Sequence, residues 1–125
     1  MSNILLSIKP QYVKQILDWT KQFELRRQIS KKVIDTIYIY ETVPTKKIVA
    51  KFKVDLVISW GKEEVWKIVW EYSWVSKDDF MTYFNWKEQA NAYKIWDIKK
   101  LDIDPYEKFD KFTPPQGYKF VEYDF

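Results

Sequence analysis

Two segments dense in β-branched and aromatic residues, "VIDTIYIYE" at 33–41 and "KKIVAKFKVDLVIS" at 46–59, lie on either side of Pro44. Side chains of this kind suit the pleated, half-buried surface of a strand, and the proline in "TVPTKK" marks the turn between the two. In the second segment Ile48, Ala50, Phe52, Val54, Leu56 and Ile58 occupy alternate positions, which predicts one buried side. With only two glycines, Gly61 and Gly117, and no repeat, low-complexity segment or flexible linker, the chain is densely structured.

The flanking segments extend this pattern. "NILLSI" reads as a buried strand, followed by Pro10 in the first turn of a helix that carries Tyr12, Val13, Ile16 and Leu17 at helical spacing to about Asp18. After Gly61 the period turns helical again: "KEEVWKIVWEYSW" sets Trp66, Trp70 and Trp74 four residues apart, a spacing that predicts packing into the core. Ser76 opens a second short helix, with Asp79 three positions on in an approximate capping box ahead of Phe80, Tyr83 and Phe84. "NAYKIWDI" and "YKFVEY" are a fifth and a sixth strand, separated by a charged, proline-marked stretch from Leu101 to Pro115. Strands that mostly follow one another, with helices grouped at the start and in the middle, predict an α+β fold built on a small barrel of five to six strands, closed or half-closed, with flanking helices.

At 125 residues, 46% of them hydrophobic and 31% charged, the expectation is one domain spanning 1–125. No stretch approaches the roughly 18 consecutive apolar residues of a membrane span, and "MSNILLSIKPQY" lacks the features of an export signal. A soluble, cytoplasmic protein is expected. Cysteine and histidine are both absent, which excludes disulfides, thiolate and histidine metal sites, cysteine nucleophiles and histidine-based triads. No acidic run has the pattern of a calcium loop, so neither a metal nor a cofactor is expected.

The net charge of +3 is small, but it is unevenly distributed. Residues 9–32 hold seven basic side chains against Asp18 and Glu24, a local charge of +5 that leaves the rest of the chain at −2. Such a bias fits attraction to phosphates; ordinary lysines on a solvated face are the plain alternative. Within this region lies "WTKQFELRR", residues 19–27. As a regular strand it would point Gln22, Glu24 and Arg26 one way and Lys21, Phe23, Leu25 and Arg27 the other. Lys21 and Arg26 are donors suited to phosphate, and arginine can also bind bidentately or stack on a base. Glu24 can accept from an exocyclic amine or a ribose hydroxyl, or else neutralise one of its basic neighbours in an ion pair.

Four blocks of the sequence together resemble the ASCH domain. In order they are "ILLSIKPQYVKQILDWTKQFELRR", "IYIYETVPTKKIVAKFKV", "SKDDFMTYFNWKEQANAYKI" and "PPQGYKFV", and they cover nearly the whole chain. The most specific pieces are "KPQYV", the Lys-x-x-Glu-Leu-Arg-Arg after the first helix, "YIYET" and the terminal "PPQ". The resemblance implies a PUA-like β-barrel with flanking helices whose relatives bind RNA or modified nucleotides, with "WTKQFELRR" bordering a central cleft. It implies nucleic-acid-binding roles for Lys9, Lys21, Glu24, Arg26 and Tyr40. Trp19 and Trp86, in turns, are candidates for stacking on bases.

Departures from the family pattern bear on this reading. A glycine is usual two positions before the lysine, where this chain has Trp19, and another is usual in the turn that here carries Trp86. Tryptophan gives neither close backbone approach nor an easy positive φ. Some ASCH relatives resemble acetylated-cytidine amidohydrolases built on a lysine, a threonine and a glutamate. Lys21 matches the lysine, but Glu24 stands where the threonine would be, and Thr20 should face the other way. Others have been linked to RNA cleavage. The sequence carries no positive signature of that cleavage, so an RNA- or modified-nucleotide-binding module rather than an enzyme is expected. A small nucleic-acid-processing enzyme and a protein-interaction module are the alternatives, and the three classes predict different structures. An RNA-binding module needs a basic cleft with aromatics inside, a protein-interaction module an exposed apolar patch, and an enzyme a buried lysine beside a carboxylate, with Lys21 and Glu24 the candidates.

Overall fold

The computed structural model describes residues 2–85 and 87–125; Met1 and Trp86 lie outside the described residues. Its strands are β1 (Ser2–Ile8), β2 (Phe23–Leu25), β3 (Ile34–Glu41), β4 (Lys47–Gly61), β5 (Gln89–Ile103) and β6 (Tyr118–Val121). The helices are α1 (Pro10–Leu17), α2 (Lys62–Val69), α3 (Lys77–Phe84) and α4 (Pro105–Lys108). All six strands form one mixed sheet in the order β2-β5-β4-β3-β1-β6. β1 and β3 run parallel, and every other neighbouring pair is antiparallel. A parallel pair needs a crossover connection, and here the crossover contains α1 and β2.

The central strands are apolar on both sides because both faces of the sheet are covered. Ile4 and Leu6 of β1 and Ile37 and Ile39 of β3 point into a core shared with α1, where Val13 and Ile16 are fully buried. Leu5, Tyr38 and Tyr40 point the opposite way, into a cluster closed by Phe109, Phe112 and the C-terminal Tyr123 and Phe125. A third cluster joins Phe23 and Leu25 of β2 to Val65 and Val69 of α2 and Phe80 and Phe84 of α3. Ser76 caps α3 as its spacing predicts, its hydroxyl accepting from the Asp79 backbone N–H.

Three expectations from the sequence are corrected. First, the sheet is α+β and six-stranded but does not close into a barrel: among the described residues β2 and β6 remain its two edges. Second, the alternating side of β4 is split between clusters. Ladder irregularities at Ile48/Ala50, Lys51/Lys53 and Val54/Leu56 each disturb the two-residue period and bend the strand. Ile48 therefore joins the Tyr38–Tyr40 cluster, Ala50 and Phe52 the α1 core, and Ile58 the α2–α3 cluster, while Leu56 is exposed. Third, α2 ends at Val69, so the helical spacing does not extend to Trp70 and Trp74, which are both exposed. Trp66 alone of the three packs against the core. The charged, proline-marked stretch from Leu101 first continues β5 to Ile103 and then forms α4. No helix among the described residues is long and apolar enough to cross a membrane.

Two substitutions test this packing by urea denaturation. Phe80→Ala, at a fully buried position, should destabilise the protein by roughly 3–5 kcal/mol. Ser76→Ala, which removes the α3 cap, should cost about 1 kcal/mol.

Candidate functional site

The crossover between β1 and β3 builds the site. α1 ends in a backbone turn in which Trp19 N–H donates to the Ile16 carbonyl and Thr20 N–H to the Gln15 carbonyl, each at 3.0 Å. This is the Schellman pattern, whose C′ residue takes a left-handed conformation and is usually glycine. Here it is Trp19, with φ 65°. The positive φ explains why a glycine suits this position, and tryptophan adopts it at a cost of about 1–2 kcal/mol. The indole meets Trp96 edge to face at 6.4 Å between centroids.

The turn sends Lys21 inward. Gln22 N–H donates to the Tyr72 carbonyl and Gln22 C=O accepts from Ile95 N–H, so the segment is held between the α2–α3 connection and β5. Lys21 lies between these anchors and is only 3% exposed. Its Nζ donates to the Ser73 carbonyl at 2.7 Å and sits 5.3 Å from the centre of the Tyr12 ring. Burial pushes the Lys21 pKa below the usual lysine range; the Glu24 carboxylate opposes that shift and the Arg26 guanidinium adds to it. The regular alternation read across residues 21–27 holds only within β2, which starts at Phe23. Lys21 precedes the strand and so lines the same cavity as Glu24.

Glu24 and Arg26, two apart on one side of the strand end, form an ion pair. Arg26 Nε and Nη2 reach Glu24 Oε2 at 3.0 and 2.9 Å. Arg26 Nη2 also donates to the Ser7 carbonyl at 3.0 Å, fastening the end of β2 to the end of β1. Both contacts to Glu24 use Oε2, so among the described residues Oε1 keeps its accepting capacity.

These groups border a cavity of about 350 Å³. Its walls come from Ser7, Lys9 and Tyr12 at the β1–α1 junction, from Lys21 and Glu24, and from Asp79, Phe80 and Tyr83 of α3. Buried lysine and carboxylate form the floor, while Lys9 and Asp79 are exposed at the rim. Two tyrosine rings give it aromatic sides. The Tyr83 hydroxyl donates to the Leu25 carbonyl at 3.3 Å, and burial raises its pKa.

Of the residues singled out in the sequence, Lys9, Lys21 and Glu24 line this cavity, and Arg26 adjoins it through Glu24. Trp19 lies outside it, against Trp96. Tyr40 is buried on the opposite face of the sheet, its hydroxyl 2.7 Å from that of Tyr106. Trp86 lies outside the described residues. Tyr12, Asp79 and Tyr83 were not identified by sequence reasoning, which placed the two tyrosines on apolar helix faces and Asp79 in a cap. Their polar ends on otherwise apolar faces were the available signal.

Fold and site define an α+β domain in which a six-stranded sheet and its helices enclose a cavity floored by a lysine and a carboxylate. Its fold is that of the ASCH domain. Over 98% and 97% of the chain it superimposes on the crystal structures of an Zymomonas mobilis ASCH variant (TM-score 0.85, 22% identity, 91% of that chain) and of ASCH from the same organism (TM-score 0.88, 23% identity, 88% of that chain). In sequence it is similar to an ASCH domain-containing ribonuclease of Zymomonas mobilis, 25% identical over 122 residues that cover 94% of this chain and 82% of that protein. No protein-family model matches the chain.

The buried charges give two stability predictions. A lysine whose folded pKa is lowered binds fewer protons folded than unfolded between that pKa and its ordinary 10.5, so stability rises with pH across that interval. In urea titrations Lys21→Met should therefore gain most over wild type at low pH, and its advantage should shrink as pH climbs toward 10.5. Arg26→Ala leaves the Glu24 carboxylate buried without its partner and should cost roughly 3–5 kcal/mol at neutral pH.

Proposed function

We propose that this chain binds single-stranded RNA, takes one nucleotide into the cavity and cleaves the adjoining phosphodiester. The observation that carries the reading is the buried Lys21 beside Glu24, the arrangement expected of an enzyme rather than of a passive binding surface. A cavity of about 350 Å³ falls at the lower end of the roughly 300–1,000 Å³ of small-molecule sites. It suits one nucleotide better than a duplex, and the name of the Zymomonas relative points the same way. On this reading residues 1–125 act as one cytoplasmic domain.

Tyr12 and Tyr83 flank the base, and Glu24 Oε1 accepts from an exocyclic amine or a ribose hydroxyl. Lys9 at the rim attracts the phosphate. Lys21, whose pKa burial lowers, is the base: as the neutral amine it keeps one N–H for the Ser73 carbonyl while its lone pair takes the proton of the 2′-hydroxyl. The 2′-oxygen then forms a bond to phosphorus as the bond to the 5′-oxygen breaks. The leaving oxygen takes a proton from solvent, and the products are a 2′,3′-cyclic phosphate and a 5′-hydroxyl. Arg26 holds Glu24 and the β1 end in place and is committed to that role by its contacts. An acetylated-cytidine amidohydrolase reading lacks its nucleophile, because Glu24 stands in the threonine position.

Fluorescence anisotropy with single-stranded RNA, duplex RNA and single-stranded DNA across a salt series, combined with gels of end-labelled RNA, tests this reading. Single-stranded RNA should bind with a clear salt slope and be cut to cyclic-phosphate ends, whereas RNA methylated at the 2′-oxygen should bind intact. Lys21→Arg, which keeps the charge but cannot act as a base, should lose cleavage by about 10²-fold or more. The wild-type rate should rise with pH as Lys21 deprotonates, and Lys21→Arg should abolish that limb. Absence of RNA binding even at low salt would overturn the proposal.

A further inference from the structure

Beyond Tyr83 lies a second, shallower basin of about 1010 Å³, bordered by the loop after β2, the start of β5 and Tyr118 of β6. Arg27, Lys31 and Lys87 line it, against the single acid Glu88. Among the described residues none of these three cations makes an ion pair. The backbone gathers them instead. Arg27 Nε donates to the Tyr83 carbonyl at 2.6 Å, and the Arg27 carbonyl accepts from Lys87 Nζ at 3.2 Å. Lys31 is exposed beside them.

Three cations gathered around one acid, and paired with none, leave a net positive field that an anion relieves. The arrangement also specifies which anion. The Arg27 guanidinium lies 4.7 Å from the centre of the Tyr83 ring, and Tyr83 is itself a wall of the cavity. One aromatic side chain thus separates the nucleotide cavity from the basin, so a strand leaving the cavity past Tyr83 passes Arg27 before reaching Lys31 and Lys87. We propose that the basin is a second RNA subsite, which holds phosphates of the strand beyond the nucleotides next to the one in the cavity. This inference rests on the RNA reading of the cavity and extends it from one nucleotide to a short single strand.

The test uses the double variant Lys31→Ala/Lys87→Ala, since neither lysine belongs to the cavity, with 12-nucleotide and 3-nucleotide single-stranded RNAs. Affinity for a 2′-O-methyl 12-mer should fall about 10-fold at low salt. The salt slope should shrink by about 1.4, the share of two phosphate contacts on a single strand, while cleavage of the unmodified 3-mer stays at the wild-type rate. Unchanged 12-mer affinity and slope would remove the subsite and leave the cavity reading intact. An equal loss of 3-mer cleavage would place the two lysines in the cavity's own function and rule out a separate subsite. If wild type fails to bind the 12-mer at low salt, the cavity reading itself fails and the subsite with it.

Discussion

β3 is buried on both faces and paired along both edges, and the remaining architecture follows from that constraint. Its backbone groups are taken up by β1 and β4, and its side chains alternate between two separate cores. Everything else in the molecule must approach it from above or below. Because β1 joins β3 in parallel, the chain between them must leave the sheet and return. That excursion, residues 9–33, coincides with the segment of concentrated positive charge. The cavity floor, the ion pair at the end of β2 and the basic loop beyond it all lie on this one crossover.

The crossover holds its charges with specific backbone contacts. Lys21 is held by a carbonyl from the α2–α3 connection, and Arg26 by Glu24 and a carbonyl at the end of β1. A cation taken out of water needs such partners, because the cost of desolvating it exceeds what a loosely placed neighbour returns. The same contacts leave Lys21 poorly solvated, which disfavours its charged form. Structural anchoring and the lowered pKa of Lys21 here share one cause.

How much was legible in the sequence depended on the range of the interaction. The strands read at 3–8, 33–41 and 118–123, the Ser76 cap and the ASCH resemblance rest on local pattern, and all reappear in the structure, the strands with ends shifted by one or two residues. Lys21 and Glu24 emerged as a pair of interest, but on the assumption of a strand beginning at residue 21. Their actual proximity comes from a turn that the sequence disguises, since a tryptophan occupies the left-handed position. The division of β4 among three clusters depends on ladder irregularities set by β5, a strand distant in sequence, which no two-residue period reveals. Trp70 and Trp74 looked like core because α2 was read one turn too long, and Tyr12 and Tyr83 looked like core because their rings are apolar while their hydroxyls are not.

The cavity walls come from three pieces of chain: the β1–α1 junction, the segment around β2, and α3. Individual hydrogen bonds join these pieces, among them Arg26 to the Ser7 carbonyl and the Tyr83 hydroxyl to the Leu25 carbonyl, so the space between them is also a seam in the fold. A molecule that fills it touches all three and acts as mortar. Binding only to the folded form, it would raise stability by an amount set by its concentration relative to its dissociation constant. Resistance to heat or protease thus becomes a readout of occupancy, and the protein can report its own ligand from a mixture of candidates.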